Sequence, residues 1–250
     1  MPVSPSKLGS IFVFGALGLT LATLAYPAML GIENTASSQD RIVANTPYGP
    51  LTESDRDFVV RVRSAGLWEY PIGEMAMERG TTPEMKEAAA HLLVGHAALD
   101  ATCRRIAPEL GITLPNQPTP QQQQFVATVD SETGQQFDIT AVNIMRAAHG
   151  GIFPTIAKIR ASTKNSLVRA LADQTNDTVL DHITVLEKTG MVNYEQVLLQ
   201  QTTPPKLPQD QLTPPPPPPG SPVLALKPRP DLDVNTTSPT PSPSAAGQGG

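Results

Sequence analysis

Cysteine is almost absent from this 250-residue chain: Cys103 stands alone, which excludes an intrachain disulfide framework and any cysteine-built zinc site. No basic tract occurs and the formal charge is −5, so nucleic acid is not an expected partner. Strand-like alternation is found nowhere in the body of the chain. A glycine-rich phosphate loop, a nucleophile elbow and an HExxH motif are all missing, which removes the commonest hydrolase and nucleotide-binding readings. Proline, by contrast, is plentiful and uneven. Twelve of the 27 prolines lie in residues 1–200 and 15 in the last fifty, which rules out one uniform globule.

The organisation follows from composition. Leu8 to Ile32 carries no charge and is long enough for the ~20 apolar residues that span a bilayer. Lys7 and the amino terminus give it a thin positive flank, which places the amino end in the cytoplasm and the body outside. Residues 1–32 are therefore expected to be a membrane anchor. The alternative is a signal peptide cut near Ala36-Ser37-Ser38, and the protein would then be secreted. Either way the body is extracytoplasmic. Residues 33–51 read as a polar linker.

Residues 52–194 read as helices. The first runs from about Ser54 to Arg79, with Phe58, Val62, Ala65, Ile72 and Ala76 in steps of three and four, and with Pro71 expected to kink it. Thr82-Pro83-Glu84 opens the second and Gly111 ends it. The third spans about Thr133–Arg160 and the fourth Asn165–Lys188. The proline- and glutamine-rich stretch Leu114–Gln124 predicts a crossover between the second and third, with a short extra helix over Gln121–Val129. The fold class is thus all-α, a four-helix bundle. Residues 195–250, with six prolines from Pro214 to Pro219, read as a disordered tail of polyproline II character. It would be a spacer or a ligand for a proline-binding module.

One polar residue interrupts the apolar stripe of each long helix. Glu69 lies between Ala65 and Ile72, His96 between Leu92 and Leu99, His149 between Met145 and Ile152, and His182 between Val179 and Leu186. Helical periodicity turns each of them inward. Glu69, His96 and His149 are close to mid-helix, and His182 lies about five residues, roughly 7 Å, past the middle of its own. One carboxylate and three imidazoles can hold a single divalent ion, with Zn, Cu, Fe or Mn the suitable metals. The competing reading is a buried hydrogen-bonded cluster. A di-iron centre is disfavoured, because neither His96 nor His182 has a Glu three residues before it. Asp100, one turn after His96, is a candidate to orient that ring. Asp138, near the start of the third helix where an acid suits the dipole, is a second candidate to support the ligand set from behind. His91 is off the stripe and expected to be exposed. Cys103 and the scattered methionines read as core residues.

The stretch from Phe58 through AGLWE to Glu69, His96 within HLLVGHAALDATCRRIAPELGITLP, GQQFD at Gly134–Asp138, His149 in RAAHG and His182 in LDHI together resemble the domain-of-unknown-function 4142 family. That family is a ferritin-like group of exported bacterial helical bundles, and the resemblance covers about Thr52 to Lys188. It implies a ferritin-like fold and makes Glu69, His96, Asp138, His149 and His182 recurring polar positions. Gly95 and Gly150 depart from it, standing where the family commonly has acids.

Three functions stay open. The leading one is an exported, membrane-anchored bundle binding one metal ion in its core. The second is a non-catalytic structural or interaction module of the cell envelope with a proline-rich spacer. The third is a metal-dependent redox enzyme. The membrane, through the amino-terminal helix, and envelope components are the expected partners.

Overall fold

The computed structural model of the chain describes residues 40–203 and 206–234. The proposed anchor or signal segment, Leu8–Ile32, lies outside the described residues. Among those described, no helix is long and apolar enough to cross a membrane.

The described residues begin with a two-stranded antiparallel hairpin, β1 (Ile42–Thr46) and β2 (Gly49–Thr52). The polar linker expected over 33–51 is corrected for its described part, residues 40–51. Leu51 is buried, and Val43, Ala44 and Tyr48 pack on the same apolar cluster. Asn165 locks the turn: its Nδ2 donates to Thr46 Oγ1 and to the Gly49 carbonyl, both at 3.1 Å. Four- and five-residue strands rich in Asn, Thr, Pro and Gly carry little periodicity, and this pair is held by tertiary contacts that composition does not announce.

Seven helices follow among the described residues. Helix α1 (Glu53–Arg79) starts in a capping box, with Asp55 N donating to Thr52 Oγ1 at 3.1 Å and Thr52 N to Asp55 Oδ2 at 3.0 Å. It continues as one helix through Pro71. Helix α2 (Pro83–Leu110) is capped by Thr82 and ends at Gly111, whose φ of 65° suits a residue without Cβ. Helix α3 (Pro120–Ser131) is the short extra helix, α4 (Gly134–Ser162) and α5 (Ser166–Lys188) are the remaining long ones, and α6 (Tyr194–Thr202) and α7 (Gln209–Leu212) are short additions. The fold is mostly helical and bundle-like. Helix α1 packs on α2, α2 on α5 and α5 on α4, while α3 lies against both α1 and α4 and carries the chain across.

Most of the core falls into two clusters, with a small third one of Tyr70, Leu93 and Ala97. Phe58, Val62, Leu99, Ile106, Ile156, Val168 and Leu171 belong to one apolar cluster. Trp68, Ile72, Met85, Leu92, Phe137, Met145 and Leu186 belong to another. Burial of each large side chain contributes ~1.5–3 kcal/mol, so both clusters are strongly stabilising. The four polar interruptions fall between them along all four long helices.

The disordered tail expected over 195–250 is also corrected where it is described. Tyr194–Thr202 is helical, and part of 206–234 lies along α1 and α2. The reason is a buried ion pair. Arg63 and Asp100, with side chains 0% and 1% exposed, bond to each other across the two helices. Arg63 also donates to the carbonyls of Pro115 at 3.2 Å and Leu224 at 2.6 Å, while Asp100 Oδ2 accepts from Arg104 Nε at 2.9 Å and Leu226 N at 3.0 Å. The tail thus supplies main-chain groups that a desolvated pair requires. Removing everything after Gln201 is expected to leave these charges under-satisfied, at ~1–3 kcal/mol for each lost partner. The melting temperature should fall by several degrees, as read by calorimetry; an unchanged value would contradict the contact.

Candidate metal centre

Glu69, His96, His149 and His182 come together at the boundary between the two apolar clusters. Each offers a ligand atom, and the four atoms lie within 4.8 Å of one another, all from buried side chains. The elements place them simply: α1, α2, α4 and α5 each contribute one inward position, flanked on both sides by apolar residues that fix the register. His182, expected just beyond the layer, is inside it. Its ring centroid is 4.9 Å from that of His96 and 5.1 Å from that of His149.

The hydrogen bonds assign the tautomers. His149 Nδ1 is 2.8 Å from the Met145 carbonyl, which can only accept, so Nδ1 carries the proton. His182 Nε2 is 3.1 Å from the His91 carbonyl and carries its proton for the same reason. In the neutral rings, His149 Nε2 and His182 Nδ1 are then both lone pairs, and they face each other at 2.9 Å. Glu69 Oε2, a third acceptor, lies 3.2 Å from His149 Nε2. Its one ring donor is His96 Nε2 at 3.0 Å. His96 Nδ1 meets no protein partner. Three acceptor atoms therefore converge where neutral groups would repel. A proton or a cation among them removes the conflict.

Burial disfavours the proton. It pushes the His149 imidazole below its ordinary range, although Glu69 beside it pulls the other way. It pushes His182 well below, with His96 and His149 adding to the effect. Burial also pushes the Glu69 carboxyl up, but His149 and His96 outweigh that and hold it below the usual value. Burial thus favours neutral rings at His149 and His182, the form in which an imidazole ligates a metal.

The sequence profile of the family described as a domain of unknown function, DUF4142, matches residues 43–188, more than half of the chain. The chain belongs to this family. No curated protein and no solved structure matches it. Within the DUF4142 domain, Gly95 now has a physical reason. A Cβ there would lie 2.4 Å from His182 Nε2 and 2.8 Å from Thr178 Cγ2. The imidazole of His182 fills the space that a side chain at position 95 would need.

The remaining candidates take other places. Asp100 does not orient His96: it pairs with Arg63 and Arg104 and holds the tail. Asp138 is fully buried, but its Oδ2 accepts from Thr81 N at 3.0 Å and Thr81 Oγ1 at 2.5 Å, closing the turn between α1 and α2. His91 is buried rather than exposed. Its Nδ1 is 2.7 Å from Asp181 Oδ2, and its carbonyl orients His182. Sequence reasoning missed this pair because His91 is five residues from His96, off the stripe that faces α1, yet on the side that faces α5. Cys103 is a buried core thiol, pushed up to about 12 by burial and by Asp100, and therefore inert.

A pH dependence follows. His149 and His182 are neutral in the fold and bind protons on unfolding below about pH 6.5. Their depressed values mean that stability is full above that pH and is lost as pH falls, by up to ~1.4 kcal/mol per pH unit for each ring. Urea unfolding at pH 7.5, 6.5 and 5.5 should give this slope, and His182→Gln should make it shallower. Equal slopes in the two proteins would contradict the assignment.

Proposed function

We propose that the protein is an extracytoplasmic, membrane-anchored, ferritin-like four-helix bundle whose core binds one divalent metal ion through Glu69, His96, His149 and His182. One observation carries the metal reading: the facing lone pairs of His149 and His182, 2.9 Å apart beside the Glu69 carboxylate, are oriented by backbone carbonyls and cannot both be satisfied by each other. The donor set fits the group. Three imidazoles and one carboxylate suit Zn, Cu, Fe or Mn and do not suit Mg or Ca, which favour oxygen ligands. Carbonyl partners on the far nitrogens of His149 and His182 are the usual support for ligating rings.

The same geometry favours holding an ion over turning over a substrate. Four protein ligands fill a tetrahedral coordination sphere, whereas catalytic sites keep a position open. All four are buried, so no substrate reaches the centre directly. The membrane anchor and export rest on the uncharged run Leu8–Ile32. The His96–Glu69 hydrogen bond favours a second reading, a purely structural polar layer in an envelope module.

Thermal unfolding separates the two. Added Zn, Cu, Mn or Fe at about 100 times the dissociation constant should stabilise untagged wild-type protein by ~2.7 kcal/mol, several degrees in melting temperature. His96→Ala should lose that response. A wild-type melting temperature that none of the four ions moves would overturn the metal reading and leave the structural one.

Topology has its own test. Amino-terminal sequencing of the mature protein from its native membrane fraction should find the Leu8–Ile32 segment retained. A chain starting near Gln39 would instead mean cleavage and secretion.

A further inference from the structure

The tail segment Pro222–Leu232 is held in a way that resembles a bound peptide more than a packed element. Four bundle side chains grip five of its main-chain groups. Asn116 clasps it twice, with Nδ2 donating to the Pro222 carbonyl and Oδ1 accepting from Leu224 N, both at 2.9 Å. Arg63 donates to the Leu224 carbonyl at 2.6 Å, Asp100 accepts from Leu226 N at 3.0 Å, and the Tyr70 hydroxyl donates to the Lys227 carbonyl at 2.9 Å. Side-chain recognition is confined to few positions. Leu226 and Leu232 pack on Tyr70, Leu93 and Ala97, while Val223 and Leu224 are 44% and 57% exposed. The floor is cut to fit: a Cβ on Gly66 would stand 3.0 Å from Leu226 Cδ1.

Main-chain bonds supply affinity without depending on sequence, and apolar pockets at spaced positions supply specificity; this is the logic of extended-peptide recognition. Two of the gripping groups, Arg63 and Asp100, are charged and buried, so the groove cannot stand empty without exposing a desolvated ion pair to poor partners. Proline at 222 suits the first position, because only its carbonyl is used.

We propose that the α1–α2 face is a receptor groove for an extended, proline-led peptide of the pattern Pro-x3-Leu-x5-Leu, and that residues 222–232 are its tethered occupant. A peptide of this chemistry on another chain competes with the tether. The tether holds its own segment at millimolar effective concentration, so trans binding is weak until the strap is loosened. The inference is independent of any metal in the core.

The probe is a fluorescently labelled synthetic peptide with the sequence of residues 221–234, titrated into the full-length chain. A variant carrying Leu226→Asp and Leu232→Asp loosens its own strap. It should bind the peptide at least tenfold more tightly than wild type does. Adding Asn116→Ala to that variant should weaken binding severalfold, because two of the five main-chain bonds are lost. Failure of the folded double variant to bind at millimolar peptide, or equal binding of a scrambled peptide, would overturn the proposal. If the double variant loses helicity, a protease site inserted after Thr213 and cut once the wild-type chain has folded replaces it. Native mass spectrometry should then find the strap fragment retained and displaced by excess peptide; a fragment that departs without peptide, or that peptide does not displace, overturns it equally.

Discussion

The constraint on which the rest of the structure depends is a polar layer that no single helix can satisfy. Glu69 is a buried carboxylate, and such a group is stable only with partners of opposite charge or with hydrogen-bond donors. Its ring donor comes from α2, while α4 brings His149 beside it and α5 reaches the layer through His149. The register of the four long helices is therefore tied at one height, and each is pinned further by apolar residues above and below. Two apolar clusters with the layer between them are the result, in place of one continuous core.

Much of this was legible in the sequence because helices announce themselves locally. The capping residue Thr82 and the terminator Gly111 are short-range signals, and both act as expected. The centre was legible for a related reason. A polar residue on an apolar stripe is conspicuous, and one on each of four stripes is more so. Sequence spacing could place Glu69, His96 and His149 at one level, and the structure adds His182. The facing lone pairs were not legible, because they depend on which carbonyl each ring meets.

What escaped the sequence has a common cause: it depends on contacts between distant segments. Arg63 lies six residues before Glu69 and Asp100 four after His96, similar heights in an antiparallel pair, but Arg63 is off the main stripe and Asp100 read as a group that orients His96. Once they are buried together, the tail is no longer a chain without a core pattern. Its polar main chain is what the ion pair lacked, and composition rules weigh side chains only. The hairpin over Ile42–Thr52 was lost in the same way, since Asn165, more than a hundred residues on, holds its turn.

The burial of the polar layer also governs time. Its four ligand atoms come from four helices, and all four side chains are buried. No fragment short of the assembled bundle can present the set, and the packed helices cover it almost completely. Exchange of an ion held there would be limited by the opening of the bundle, a local or global unfolding event, and not by diffusion or by ligand strength. The centre would then retain its ion for as long as the fold stays closed.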